Sequence, residues 1–283
     1  MFRRCNEYPL SSPRQAALSE HLSGLSLLEL LIAMSIMALI VGTLAGLTHA
    51  LEQGFEYSEG YGAATQHAQV ALDRITRAIY GATANEQFPG CIVVAETVNN
   101  WRYSDTLVVW RPSGTAAAPT GLPEYCELVI YCPHPSNPNQ LVEITAPNDT
   151  RTVPAITDTA TWLSEIASIK TNSQSKIVTL TNLLRSCAIA TASGSPKRGA
   201  VRFETRLRPS QDDWSNFMAS LVNWKDLPWP QGFYGWQTGM RHVWVRMELQ
   251  LIPKAPNGSA TAANLVPVPF FGSASLYYQM HRQ

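Results

Sequence analysis

Much of what a catalytic or nucleic-acid-binding chain needs is missing from these 283 residues. There is no Gly-x-Ser-x-Gly, no His-Glu-x-x-His and no glycine-rich loop to cradle a phosphate. The six histidines, His21, His49, His67, His134, His242 and His281, are scattered singly. His134 beside the cysteines offers zinc no Cys-x-x-Cys spacing. These absences read as a non-enzymatic protein that needs no cofactor or resident metal. An excess of charge is missing too, since 21 basic groups face 21 acidic ones and only 15% of residues are charged. Nothing there recruits nucleic acid through its phosphates. Lysine and arginine are absent between Arg14 and Arg74, and from Leu25 to Leu47 the one formal charge is Glu29.

That gap in charge defines the most informative segment. A helix rises about 1.5 Å per residue, so Leu25 to Leu47 would extend roughly 35 Å against a hydrocarbon core of about 30 Å. A carboxylate in such a setting is costly and points to a function. Gly24 precedes the segment, and a cut after it would place a new α-amino group on Leu25, one helical turn from Glu29. Two plainer readings compete. A secretory signal ending at Thr48-His49-Ala50 has too long an apolar run and does not account for Glu29 at its start. A simple anchor explains the length and leaves the spacing from Gly24 to Glu29 unexplained.

Glycine, then an apolar run with glutamate at its fifth position, resembles the class III signal of type IV prepilins and pseudopilins. The resemblance implies that a prepilin peptidase cuts between Gly24 and Leu25 and N-methylates Leu25. It also implies that Glu29 pairs with the terminal amine of a neighbouring subunit during assembly. Two departures stand out: Leu25 replaces the usual Phe or Met, and the nearest basic residue is Arg14 rather than one close to the glycine. The partners implied are the prepilin peptidase, other pilin or pseudopilin subunits, an inner-membrane assembly platform and membrane lipid, with no nucleic acid. Arg3, Arg4 and Arg14 precede the span, which by the positive-inside rule keeps the N-terminus cytoplasmic and exports the rest. The expected location is therefore the inner (cytoplasmic) membrane, single-pass, with an extracytoplasmic head that becomes part of a periplasmic or extracellular filament on assembly.

The organisation expected is a leader at 1–24, a transmembrane helix at 25–50, an amphipathic continuation at 51–81 and a head at 82–283. Ala64, Ala68, Leu72, Ile75 and Ile79 recur at helical spacing, so span and continuation read as one helix of about 55 residues. Gly54, Gly60 and Gly62 predict a bend or frayed stretch within it, and Gly81 its end. Ala71 to Ile79 looks like the corresponding helix of the larger minor pseudopilins of the J type.

Beyond Gly81 the period changes to two. Strands are expected at Cys91–Val98, Asp105–Arg111, Tyr125–Cys132, Leu141–Ala146, Val201–Leu207 and His242–Ile252, with short helices near Thr159–Ile169 and Asp212–Asn223. The fold class is α+β, a long N-terminal helix packed on an antiparallel, pilin-like β head. Cys91, Cys126, Cys132 and Cys187 are candidates for two disulfides in an exported domain. Cys126 and Cys132, at opposite ends of one expected strand, are too far apart to pair with each other. Asp212-Asp213 reads as a helix cap and first turn in preference to a calcium ligand pair. The aromatic group Trp214, Phe217, Trp224, Trp229, Phe233, Tyr234 and Trp236 either roofs the sheet or forms a binding surface. The second option makes the chain a tethered glycan- or surface-binding adhesin.

Overall fold

The computed structural model describes residues 26–189, 196–230, 237–253 and 266–281. The chain divides into two compact units, Met1–Glu52 and Gln53–Gln283. In the first, the described residues form the start of α1, Leu27–Tyr80, and all of them are exposed. Helical hydrogen bonding continues without a break through Gly54, Gly60 and Gly62, so the frayed stretch expected there does not form. Long helical flanks on both sides carry the cost of about 1 kcal/mol per glycine, because extending a helix is far easier than nucleating one.

In the second unit α1 buries Gly60, Ala64, Ala68, Ala71, Ile75, Ala78 and Ile79. These fall on one stripe, and the small side chains let the helix lie close to what it covers. A five-stranded antiparallel sheet runs in the order β1 (Cys91–Val98), β2 (Trp101–Trp110), β3 (Leu128–Pro133), β4 (Leu141–Thr145) and β5 (Lys176–Thr181). Strand periodicity sends alternate residues to opposite faces. Leu107, Val109, Val129, Tyr131 and Leu141 join the cluster that contains the α1 stripe. Val108, Trp110, Ile130, Val142 and Ile144 join the one containing Trp162, Ile166 and Ile169 of α2, Thr159–Thr171. Helices on both faces of this sheet explain why the central strands are apolar throughout. A two-residue turn with Asn99 and Asn100 at φ 51° and 64° joins β1 to β2, the left-handed geometry that suits tight hairpins.

The hairpin β6 (Ser186–Ala188) and β7 (Lys197–Gly199) leads into a second sheet of β8 (Val201–Arg208), β9 (Thr238–Leu251) and β10 (Val268–His281), with β9 central. Val243, Val245, Met247, Leu249 and Leu251 are fully buried, and Arg246 on the other face is exposed. The alternation expected over His242–Ile252 is therefore observed, in a longer strand.

Several boundaries differ from the sequence reading. Tyr125–Glu127 is a 3-10 turn rather than the start of β3, because the buried Glu127 carboxylate accepts from Trp110 Nε1 at 3.0 Å and from the amide of Glu124 at 3.1 Å. The helix expected to reach Asn223 ends at Met218 in α3, Gln211–Met218, where Ser220 turns to a φ of 61°. The short strands β5, β6 and β7 were not foreseen. The last apolar runs form one 14-residue edge strand, β10, in which Pro269 removes only a donor that an edge does not need. The segment Asn257–Ala262, whose Asn, Gly, Ser and Thr residues read as a loop, lies outside the described residues.

Candidate functional site

At its N-terminus α1 is closed by Ser26 and Glu29. The Ser26 carbonyl accepts from the Leu30 amide at 3.2 Å, the first helical bond. The Glu29 Oε2 accepts from the Ser26 amide at 3.0 Å and from its hydroxyl at 3.1 Å, while the Glu29 amide donates to Ser26 Oγ at 3.2 Å. This is a reciprocal capping box, with the carboxylate at the positive end of the helix dipole. Ser26 was not singled out in the sequence, although serine three residues before glutamate at an apolar run is a readable cap. Gly24 and Leu25 lie outside the described residues.

The stretch after the cap is long and apolar enough to cross a membrane. Its hydroxyls are satisfied within the helix: Ser35 donates to the Leu31 carbonyl at 2.8 Å, Thr43 to Ile40 at 2.8 Å and Thr48 to Leu44 at 2.9 Å. A lipid environment demands this internal satisfaction, because it offers no water to take up a lone donor.

In the second unit several charged groups hold elements together. Arg74 of α1 makes a bidentate contact with Glu143 of β4 at 2.6 and 2.8 Å, and Tyr131 donates to the same carboxylate at 3.1 Å. The guanidinium holds the Glu143 carboxyl below its ordinary range, and burial with the carboxylate beside it raises the Tyr131 phenol. Arg198 of β7 pairs with both Asp105 and Glu96, and Lys170 donates to Thr106 at 2.8 Å.

The four cysteines among the described residues are free thiols, which corrects the expectation of two disulfides. Cys91 belongs to the cluster beneath α1, whereas Cys132 belongs to the one beneath α2, so the sheet separates them. Cys126 lies in the 3-10 turn, where its thiol donates to Glu124 at 3.4 Å, and Cys187 is exposed on β6. Burial pushes the Cys91 thiol up to about 12 and that of Cys132 up to about 11, which makes both poor nucleophiles.

Asp212 and Asp213 fall in the first turn of α3 as expected, but the cap itself is Ser210, which the sequence reading did not single out. Ser210 is the N-cap of α3, its hydroxyl accepts from the Asp213 amide at 3.1 Å, and Asp213 Oδ2 accepts from the Ser210 amide at 2.9 Å. These Ser210 bonds, with Arg241 nearby, lower the Asp213 pKa. Asp212 occupies the first turn. Arg241, which the sequence analysis missed, is 1% exposed, lies over the Trp214 ring at 5.6 Å and donates to the Pro209 carbonyl at 3.1 Å. Among the described residues no group of three or more His, Cys, Asp or Glu side chains is arranged to hold a metal.

Trp214, Trp224 and Trp229 are buried and Phe217 is partly buried against them, with ring centroids 5.0 to 6.2 Å apart. A Cβ on Gly239 would lie 2.3 Å from the Trp229 ring, so the ring packs directly on the β9 backbone. These rings roof the second sheet. Phe233, Tyr234 and Trp236 lie outside the described residues. Comparison with protein-family models, curated proteins and solved structures finds no match to this chain.

Proposed function

We propose that this chain is a minor pilin or pseudopilin, a non-enzymatic subunit that enters a type II secretion pseudopilus or a type IV pilus through its N-terminal helix. The observation that carries the reading is the single carboxylate of Glu29, five residues after Gly24 and at the capped start of an unbroken apolar helix. In that position the carboxylate has one short-range partner in Ser26. A cut after Gly24 would deliver a positive amine next to it, from its own chain or from a neighbour. That attraction is strongest where lipid excludes water, so it favours helices side by side in a bundle. The head suits a place at the tip or in initiation, because a head of about 200 residues would crowd a repeated lateral lattice. Its charged groups serve to join α1 to the sheet and strand to strand, which fits a scaffold.

An adhesin built on the region 214–236 finds less support, because Trp214, Trp224 and Trp229 face the core. Mass spectrometry of the membrane-extracted protein tests the main reading. The expected N-terminus is Leu25, carrying one added methyl group. An intact leader, or a terminus at Leu51, would overturn it.

A further inference from the structure

The second sheet ends on β10, and among the described residues no strand pairs with the outer edge of that strand. On its inner side β10 pairs with β9 from Val268 with Leu251 to His281 with Thr238, without a register shift. The Gln250 amide donates to the Ala200 carbonyl on the β8 side, so even-numbered residues of β9 turn their backbone groups to β8 and odd-numbered ones to β10. Carried through the register, Phe271, Ser273, Ser275, Tyr277 and Gln279 turn their amides and carbonyls outward. Among the described residues none of these outward groups has a hydrogen-bond partner. Burial thins toward the same edge: Val243, Met247 and Leu249 of β9 are fully buried, whereas Leu276, Gly272 and Phe270 beside them are only partly so.

This edge lacks the charge that commonly keeps strands of different molecules apart. No residue from Val268 to Met280 is charged, while the other outer strands carry Glu96 on β1, Lys176 on β5 and Arg202 to Arg208 on β8. Two rings stand on the solvent face of β10, Phe271 at 58% and Tyr277 at 44% exposure. Both are held from within the sheet. Tyr277 stacks on His242 with ring centres 4.4 Å apart, and the Arg246 guanidinium lies 5.8 Å from the Phe271 ring. The two rings lie symmetrically about Ala274, with Ser273 and Ser275 between them.

We propose that β10 is a homotypic interface, on which β10 of a second copy of this chain adds antiparallel and makes one continuous sheet across the two molecules. A two-fold axis through Ala274 sets Phe271 of each copy opposite Tyr277 of the other, and Ser273 opposite Ser275. Every residue in these pairs has outward backbone groups, so the ladder closes from 271 to 277 and ends beside Pro269, which has no amide to give. The symmetry makes the cross-strand ring pair occur twice in each dimer. The lack of charge selects this occupant. A second β10 is neutral along its whole contact, whereas an acidic or basic strand would be dehydrated here without a counter-charge. The inference uses only residues of the head and does not depend on assembly through α1.

Light scattering on the full-length protein in detergent micelles, over a series of protein concentrations, tests it. A reversible monomer–dimer equilibrium is expected. Ser275→Pro removes an outward amide and leaves the bonds to β9 in place, so it should give a monomer with an unchanged melting temperature. Phe271→Ser, which counts twice in a symmetric pair, should weaken the dimer about tenfold. With Cys5 and Cys187 changed to serine, the double variant Ser273→Cys, Ser275→Cys should form a disulfide-linked dimer on mild oxidation, and Ser164→Cys in α2 should not. The proposal is overturned if the protein stays monomeric, if the dimer survives Ser275→Pro, which would place the contact elsewhere, such as along α1, or if Ser164→Cys cross-links as readily as the β10 pair. Should Ser275→Pro fail to fold, Phe271→Ser and the cysteine comparison decide alone.

Discussion

At the scale of single residues, the aromatic roof and the thiols make the sharpest demands. Trp214 is 7% exposed and touches Phe217, Trp224 and the Arg241 guanidinium. Truncating it leaves a cavity and strips a buried cation of the ring beneath it. Trp214→Ala is therefore expected to cost about 3–5 kcal/mol in chemical denaturation of the protein. Stability close to that of the unaltered protein would mean that the ring is not core. Gly239→Ala is expected to destabilise as well, since its methyl group would meet the Trp229 ring at 2.3 Å. The cysteines give a second test. Iodoacetamide should alkylate Cys187 in the native protein, while Cys91 and Cys132 react only after unfolding, because burial both shields them and keeps them protonated. Native labelling of Cys91 would contradict the packing described. The sequence supplied the even number of cysteines beyond Gly81 but not their separation, because which face of a sheet a residue occupies depends on register, and register emerges only when strands pair.

At the scale of elements, α1 was the most legible part of the chain and its first turn the most consequential. Its lack of charge was plain from Leu25 to Leu47 and its helical period from Ala64 to Ile79, and the structure differs chiefly in having no break at the glycines. Strand β9 was legible for the same reason, an uninterrupted period of two. Strands β5, β6 and β7 were not, because they are short, exposed and rich in Lys, Thr, Ser and Gly, so they exist through their neighbours rather than through their own pattern. In the function proposed, this scale turns on Glu29. Replacing it by valine removes the charge and its share of the capping box but lengthens the apolar face. Glu29→Val is thus expected to enter the membrane at least as well as the unaltered chain and to be missing from sheared filaments, as judged by fractionation and immunoblotting. Loss of insertion would show that the carboxylate serves targeting instead of assembly.

At the scale of the whole molecule the question is on which side of the membrane each part lies. Three arginines before the span and none after it until Arg74 predict that protease added to spheroplasts digests the head without lysis. Protection of the head until the membrane is dissolved would reverse the topology. The sequence by itself determined the length and polarity of α1, the position of the one carboxylate in its apolar stretch up to Leu47 and the strand character of β1 and β9, because each rests on a local period or a local absence of charge. It also contained the cap of α3, since Ser210 and Asp213 lie three residues apart. Only the tertiary structure decided that Arg74 meets Glu143, that Arg241 lies over the Trp214 ring, and that Cys91 and Cys132 face opposite cores. These residues are 27 to 69 positions apart in the chain. No periodicity links such positions, and only the pairing order of the strands brings them together.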